Sequence, residues 1–103
     1  MAGGRRVAVD PAIRLRLSRK ARLQPDPKSG QLALLSPESL LLLNDSGAAI
    51  VRLLDGERSV AEICALLAER FASDGTRVTA DVSRYLTELL ERRLIEPVAA
   101  GPA

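Results

Sequence analysis

A chain of 103 residues has room for one domain. It contains no histidine, no tryptophan and a single cysteine, Cys64, which excludes a histidine-based triad, a zinc-ligand cluster and a disulfide framework within one chain. Its net charge of +2 is unevenly spread: residues 1–22 hold seven basic side chains against Asp10, a balance of +6, and the other 81 residues hold eight basic and twelve acidic ones, a balance of −4.

Apolar residues make up 47% of the chain and eighteen residues are leucine, so a packed core is within reach and global disorder is excluded. The basic stretch would attract nucleic acid, an anionic membrane or an acidic peptide, or serve only as a solubilising arm. No run approaches the ~18 apolar residues of a membrane span. Arg and Asp interrupt every short apolar run near the N-terminus, unlike a signal peptide. A cytoplasmic module that binds something, with no membrane and no cofactor, is the expectation.

In chain order, Gly3, Gly4 and Pro11 mark an irregular arm. Ile13, Leu15 and Leu17 alternate with Arg14 and Arg16, the period of a strand with one apolar face. Arg22 to Gln24 and Gln31 to Ser36 flank Asp26-Pro27-Lys28-Ser29-Gly30, a loop signal between antiparallel strands. Pro37-Glu38-Ser39 breaks the chain before Leu40 to Leu43, read as a further strand. Asn44-Asp45-Ser46 offers side-chain oxygens to the first turn of a short helix over Gly47 to Leu54. Asp55-Gly56 stops that helix, with Gly56 suited to a left-handed cap.

Ser59-Val60-Ala61-Glu62 has the spacing of a capping box. It opens a helix whose Val60, Ile63, Leu67 and Phe71 share one face, expected to end near Ala72 before Ser73-Asp74-Gly75. Thr79-Ala80-Asp81 opens a third helix, with Val82, Tyr85, Leu86, Leu89 and Leu90 on its apolar face and Arg84 and Arg92 on its wet face. Leu94 to Val98 is a short extended piece. The fold class that follows is α+β and winged helix-turn-helix-like, a small antiparallel sheet of about three strands followed by a three-helix bundle.

Three functions compete for such a module. A DNA-binding regulator needs Arg, Lys, Asn or Gln at several groove-facing positions of its recognition helix. From Val82 to Leu94 the basic residues are Arg84, Arg92 and Arg93, offset by Glu88 and Glu91, with no Asn or Gln. An enzyme would draw on Asp55, Glu57, Glu62, Asp74 or Asp81, yet turn and capping roles for Glu62 and Asp81 explain them without chemistry, and Cys64 near the apolar stripe reads as a buried thiol. A peptide binder needs an open strand edge, and Leu40 to Leu43 supply one unless dimerisation or the arm near Ile13 to Leu17 covers it.

The ordered set Pro37-Glu38, Leu43-Asn44, Asp55-Gly56, Val60 to Ile63 and Asp81-Val82, with Pro11 and Arg22-Leu23 upstream, resembles the PqqD family of pyrroloquinoline quinone biosynthesis from about Pro11 to Ile95. Ser39 stands where the family often has Gly, and Gly47 where a small Ala is usual. The resemblance implies a non-catalytic chaperone that binds the precursor peptide PqqA by strand addition and presents it to the radical SAM enzyme PqqE. By position, it implies peptide contacts at Leu40, Leu41, Leu42, Leu43, Val82, Tyr85, Leu86 and Leu89, with Arg84 and Arg92 as charge contacts. The organisation expected is a basic arm over 1–20, a PqqD-like domain over 21–98 and a frayed tail over 99–103, with a homodimer left open. Leader capture in another peptide-modifying pathway is the neighbouring alternative.

Overall fold

The structure, a computed structural model, describes residues 9–72 and 74–98; Gly3, Gly4, Arg5, Arg6, Ser73 and the tail over 99–103 lie outside them. Strand β1 (Arg14–Leu17) is followed by β2 (Arg22–Pro25), β3 (Leu32–Ser36) and β4 (Ser39–Leu42). Helix α1 (Asp45–Arg52), strand β5 (Asp55–Ser59), helices α2 (Val60–Phe71) and α3 (Gly75–Glu91) and strand β6 (Ile95–Pro97) complete the order. The class is α+β, as expected, but the strands form two antiparallel sheets of three, β2-β3-β4 and β5-β1-β6.

The first sheet is the one the loop signals announce. Asp26 organises the β2–β3 connection: its carboxylate accepts from the Ser29 amide at 3.0 Å and from Ser29 Oγ at 2.9 Å, while Gly30 takes φ +75°. Pro37 and Glu38 form a two-residue connection, with Ser36 paired to Ser39 across it. Cross-strand rows follow from the register. Leu23, Leu34 and Leu41 line up toward the core, while Arg22, Leu35 and Leu40 form an outward row.

The second sheet departs from the expected order. Asp55-Gly56 does more than stop a helix: α1 ends at Arg52, and Asp55 begins β5. The Asp55 carboxylate accepts from the amides of Glu57 and Arg58, both at 2.9 Å, and Gly56 adopts φ +80° within an irregularity where four steps of β5 oppose two of β1. Such an Asx-type bend in a polar stretch has no period-2 apolar signature, so the pattern of Asp55-Gly56-Glu57-Arg58-Ser59 hides the strand. Residues 14–17, part of the stretch read as an arm, are the centre of this sheet, with Leu15 fully buried. Two of the arm's charges pair on the surface of the fold: Arg16 Nε meets Glu96 at 3.0 Å across β1–β6, and Lys20 meets Glu38 at 3.4 Å.

The capping box of α2 forms in both directions, the Ser59 amide donating to Glu62 Oε1 at 2.7 Å and the Glu62 amide to Ser59 Oγ at 3.2 Å. Donation from the Ser59 amide, and after it from the Ser59 hydroxyl, holds the Glu62 carboxyl below its ordinary range. Helix α3 begins a turn earlier than Thr79: Asp74 caps it by accepting from the Thr76 amide at 2.8 Å, and Asp81 sits inside the helix rather than at its start. Val60, Ile63 and Leu67 are buried as the α2 stripe requires, but Phe71 at the last turn is exposed beneath the Arg70 guanidinium, 5.7 Å from its ring centroid. The core gathers Leu15, Leu34, Val60, Ile63, Leu86, Leu89 and Leu94 from both sheets and the two longer helices.

Candidate functional site

Strand β4 pairs only with β3 among the described residues, so its far side is a free edge. Antiparallel pairs alternate between those that exchange hydrogen bonds and those that do not. The Leu43 amide donates to the Leu32 carbonyl at 2.8 Å, which fixes the phase. The amides and carbonyls of Leu41 and Ser39 therefore face β3, and those of Leu40 and Leu42 face outward.

Side chains follow the same alternation. Leu43 is buried and Leu41 half-buried against the core, while Leu40 and Leu42 are 57% and 43% exposed. Two leucines beside two sets of unpaired backbone groups make a short strip that supplies directional hydrogen bonds and apolar contact together. Gln31 Nε2 donates to the Leu43 carbonyl at 3.0 Å and ties the strand's end to the β2–β3 hairpin.

The expected helical contacts separate on inspection. Val82, Leu86 and Leu89 are fully buried core residues and present no surface to a ligand. Tyr85 is half-buried, and its ring lies where β4 runs into α1: the point a Cβ on Gly47 would occupy is 2.7 Å from Tyr85 Oη and 3.3 Å from Asn44 Oδ1. Asn44 is the cap of α1, accepting from the Gly47 amide at 2.8 Å. Burial pushes the Tyr85 phenol above its ordinary value, and the Glu88 carboxylate adds to the effect while Arg92 opposes it. Arg84 and Arg92 are exposed and engaged on their own helix, Arg84 with Asp81 at 3.6 Å and Arg92 with Glu88 at 3.2 Å.

A concavity of about 1440 Å³ lies elsewhere, between α2 and α3. Cys64, Ala61, Ala65, Ala68, Thr79 and Ser83 line it. Its walls are α2, α3 and the segment at Val9 and Pro11, and the Val60, Ala61 and Thr76 amides at its helix starts already donate to Ile13, Pro11 and Asp74, so it offers an extended peptide no strand edge. Strand β4 does. Burial raises the Cys64 thiol, a contact with Thr79 partly offsetting it, and keeps it protonated, as expected of a packing residue.

Gly47 and Asn44 are the site residues that sequence reasoning placed only in a helix start. Helical spacing marks α3's apolar face but does not divide core from rim. The division comes from the fold, which buries Val82, Leu86 and Leu89 and leaves Tyr85 half-buried against the first turn of α1.

The sequence profile of Coenzyme PQQ synthesis protein D (PqqD) matches residues 31–95. The PqqA binding protein of Rhizobium meliloti (strain 1021) is 40% identical over 84 residues, covering 82% of this chain and 86% of that one. Among solved structures, the PqqD truncation of Methylobacterium extorquens PqqCD superposes with a TM-score of 0.68 at 31% identity, covering 82% of this chain and 88% of that one. That truncation represents a functional, stand-alone recognition element for ribosomally synthesized and post-translationally modified peptides. The crystal structure of PqqD from Xanthomonas campestris matches with a TM-score of 0.53 at 35% identity, over 76% of this chain and 87% of that one. Binding protein and recognition element are both non-catalytic roles. Profile, sequence and fold thus agree that the chain belongs to the PqqD family.

Proposed function

We propose that this chain is a non-catalytic recognition element of pyrroloquinoline quinone biosynthesis, which captures the precursor peptide PqqA as an added strand on β4 and presents it to PqqE. The observation that carries this reading is the outward-facing backbone of Leu40 and Leu42, unpaired among the described residues and flanked by their own exposed side chains. The PqqA-binding relative and the recognition-element neighbour support the partner's class.

Leu40 and Leu42 make the direct contacts, Leu41 and Leu43 hold β4 against the core, and Tyr85 adds the helical contact. Val82, Leu86 and Leu89 keep α3 in place behind it. Arg84 and Arg92, exposed on α3, can exchange their intrahelical carboxylates for acidic groups of peptide or enzyme at little cost, because exposed pairs of this kind contribute about 0–1 kcal/mol. The +6 stretch steers acidic partners over a Debye length, about 8–10 Å.

Titration of the labelled protein with synthetic PqqA, followed by amide chemical shifts, tests this. Shifts at Leu40 and Leu42 and near Tyr85 are expected. Shifts at neither place would overturn strand addition. An unrelated leader peptide that bound as tightly as PqqA would move the protein to another peptide-modifying pathway.

A further inference from the structure

Gly47 lies in the first turn of α1 with no positive φ to explain it. Glycine is a poor helix former, so the position is held against local propensity. Space explains it. A Cβ there would stand 2.7 Å from Tyr85 Oη and 3.2 Å from Cζ, and the first of these is closer than Cβ atoms approach any neighbour. Gly47 therefore lets the phenol seat itself beside Asn44, two residues beyond Leu42 at the end of the open edge.

Tyr85 Oη is not one of the buried side-chain atoms left without a partner among the described residues, so the hydroxyl of this half-buried ring is open at the surface and available to a ligand. The hydroxyl remains protonated at neutral pH, as its burial and the neighbouring Glu88 require, and so can donate. A strand added to the exposed edge beside it would carry its own backbone carbonyls to this end of the site.

We infer that Gly47 is a positioning residue for Tyr85, and that the Tyr85 hydroxyl so held donates a hydrogen bond to a backbone carbonyl or carboxylate of the peptide added to β4. This rests on peptide capture at that edge and deepens the helical contact proposed there: it names the atom that makes the contact and the residue that holds it in place. The contact lies at one end of the strip, so it sets where along β4 the peptide stops as well as how tightly it binds. Substitution at Gly47 acts through the ring and not through the ladder.

The test measures dissociation constants for synthetic PqqA by calorimetry on the wild type, Y85F, G47A and the G47A/Y85F double variant. Thermal melts and an absorbance titration of tyrosinate accompany them. Tyr85 is the chain's only tyrosine, so that titration on the free protein reports it alone. Y85F should weaken binding three- to tenfold. G47A should weaken it at least tenfold and move the tyrosinate midpoint, because the ring is pushed out. The double variant should return to the level of Y85F, since the clashing oxygen is gone; a G47A that folds only in combination with Y85F would support the coupling equally.

A G47A variant that binds like wild type, or a double variant as weak as G47A, overturns the proposal. If the wild type itself fails to bind PqqA, the peptide contact falls together with the proposed function. The tyrosinate shift in G47A then decides whether Gly47 positions Tyr85 at all.

Discussion

The two sheets are equal in strand number and opposite in design. Sheet β2-β3-β4 is contiguous in sequence, built from two hairpins, and ends in a strand whose outer backbone groups point to solvent. Sheet β5-β1-β6 draws its strands from far apart and puts a fully buried leucine at its centre. The first sheet keeps an edge open and leaves leucines exposed beside it, a liability in a protein with no partner. The second holds the two ends of the described chain together. The open edge thus belongs to one sheet and the closing of the chain to the other, although both supply leucines to one core.

The strongest way to break this division is Leu15→Ala in β1. A buried leucine in the central strand should cost about 2–5 kcal/mol in urea unfolding. Affinity for PqqA, corrected for the folded fraction, should not change; a lower corrected affinity would mean that the sheets are coupled. Next comes a proline pair on β4. Leu42→Pro removes an outward amide that an edge position can spare, and should weaken PqqA binding by about 1 kcal/mol with a small change in stability. Leu41→Pro removes an amide that faces β3 and should instead melt the hairpin, seen as lost amide protection from Leu32 to Leu42. If the two variants behaved alike, the register would be wrong.

A smaller effect is expected from Ser59→Ala at the junction of β5 and α2, where loss of the capping box should cost about 1 kcal/mol and leave peptide binding intact. The smallest is an acid limb. Glu62 and Asp55 have folded pKa values below their ordinary 4.5 and 3.8, mainly because backbone amides donate to their carboxylates. Both therefore stabilise the protein fully above those ordinary values. Their contribution is lost as pH falls through the lower folded values. The urea midpoint should decline below about pH 4.5, and Glu62→Gln should flatten that decline.

The same division explains what could be read from the sequence. Asp26 to Gly30 and Pro37-Glu38 are turn chemistry between neighbours in the chain, so the hairpins follow from local rules, as do the capping box and the buried face of α2 up to Leu67. Strand β5 does not follow. Its residues Asp55-Gly56-Glu57-Arg58-Ser59 are polar, and only the distant β1 makes them a strand. Phe71 keeps the helical period of a core residue but falls on the last turn, where it stays exposed at the rim of a cleft shared with Pro25, Leu32 and Leu43.

At the site, alternation along Leu40 to Leu43 says that two leucines face out but not which two. The phase comes from one hydrogen bond, Leu43 to Leu32. Val82, Tyr85, Leu86 and Leu89 share one helical stripe and look equivalent by period. In the fold Val82, Leu86 and Leu89 are buried while Tyr85 stays half-buried beside α1, where Gly47 makes room for it.

The central place of β1 also has a consequence for how the protein is made. While the chain is being synthesised, Arg16 must wait for Glu96, its partner 80 residues later, before the sheet that ties the chain together can close. The β3–β4 hairpin needs nothing beyond Leu43. A growing chain would therefore display the open edge of β4 well before its fold is secured, and a chaperone or a second nascent chain would meet that edge first.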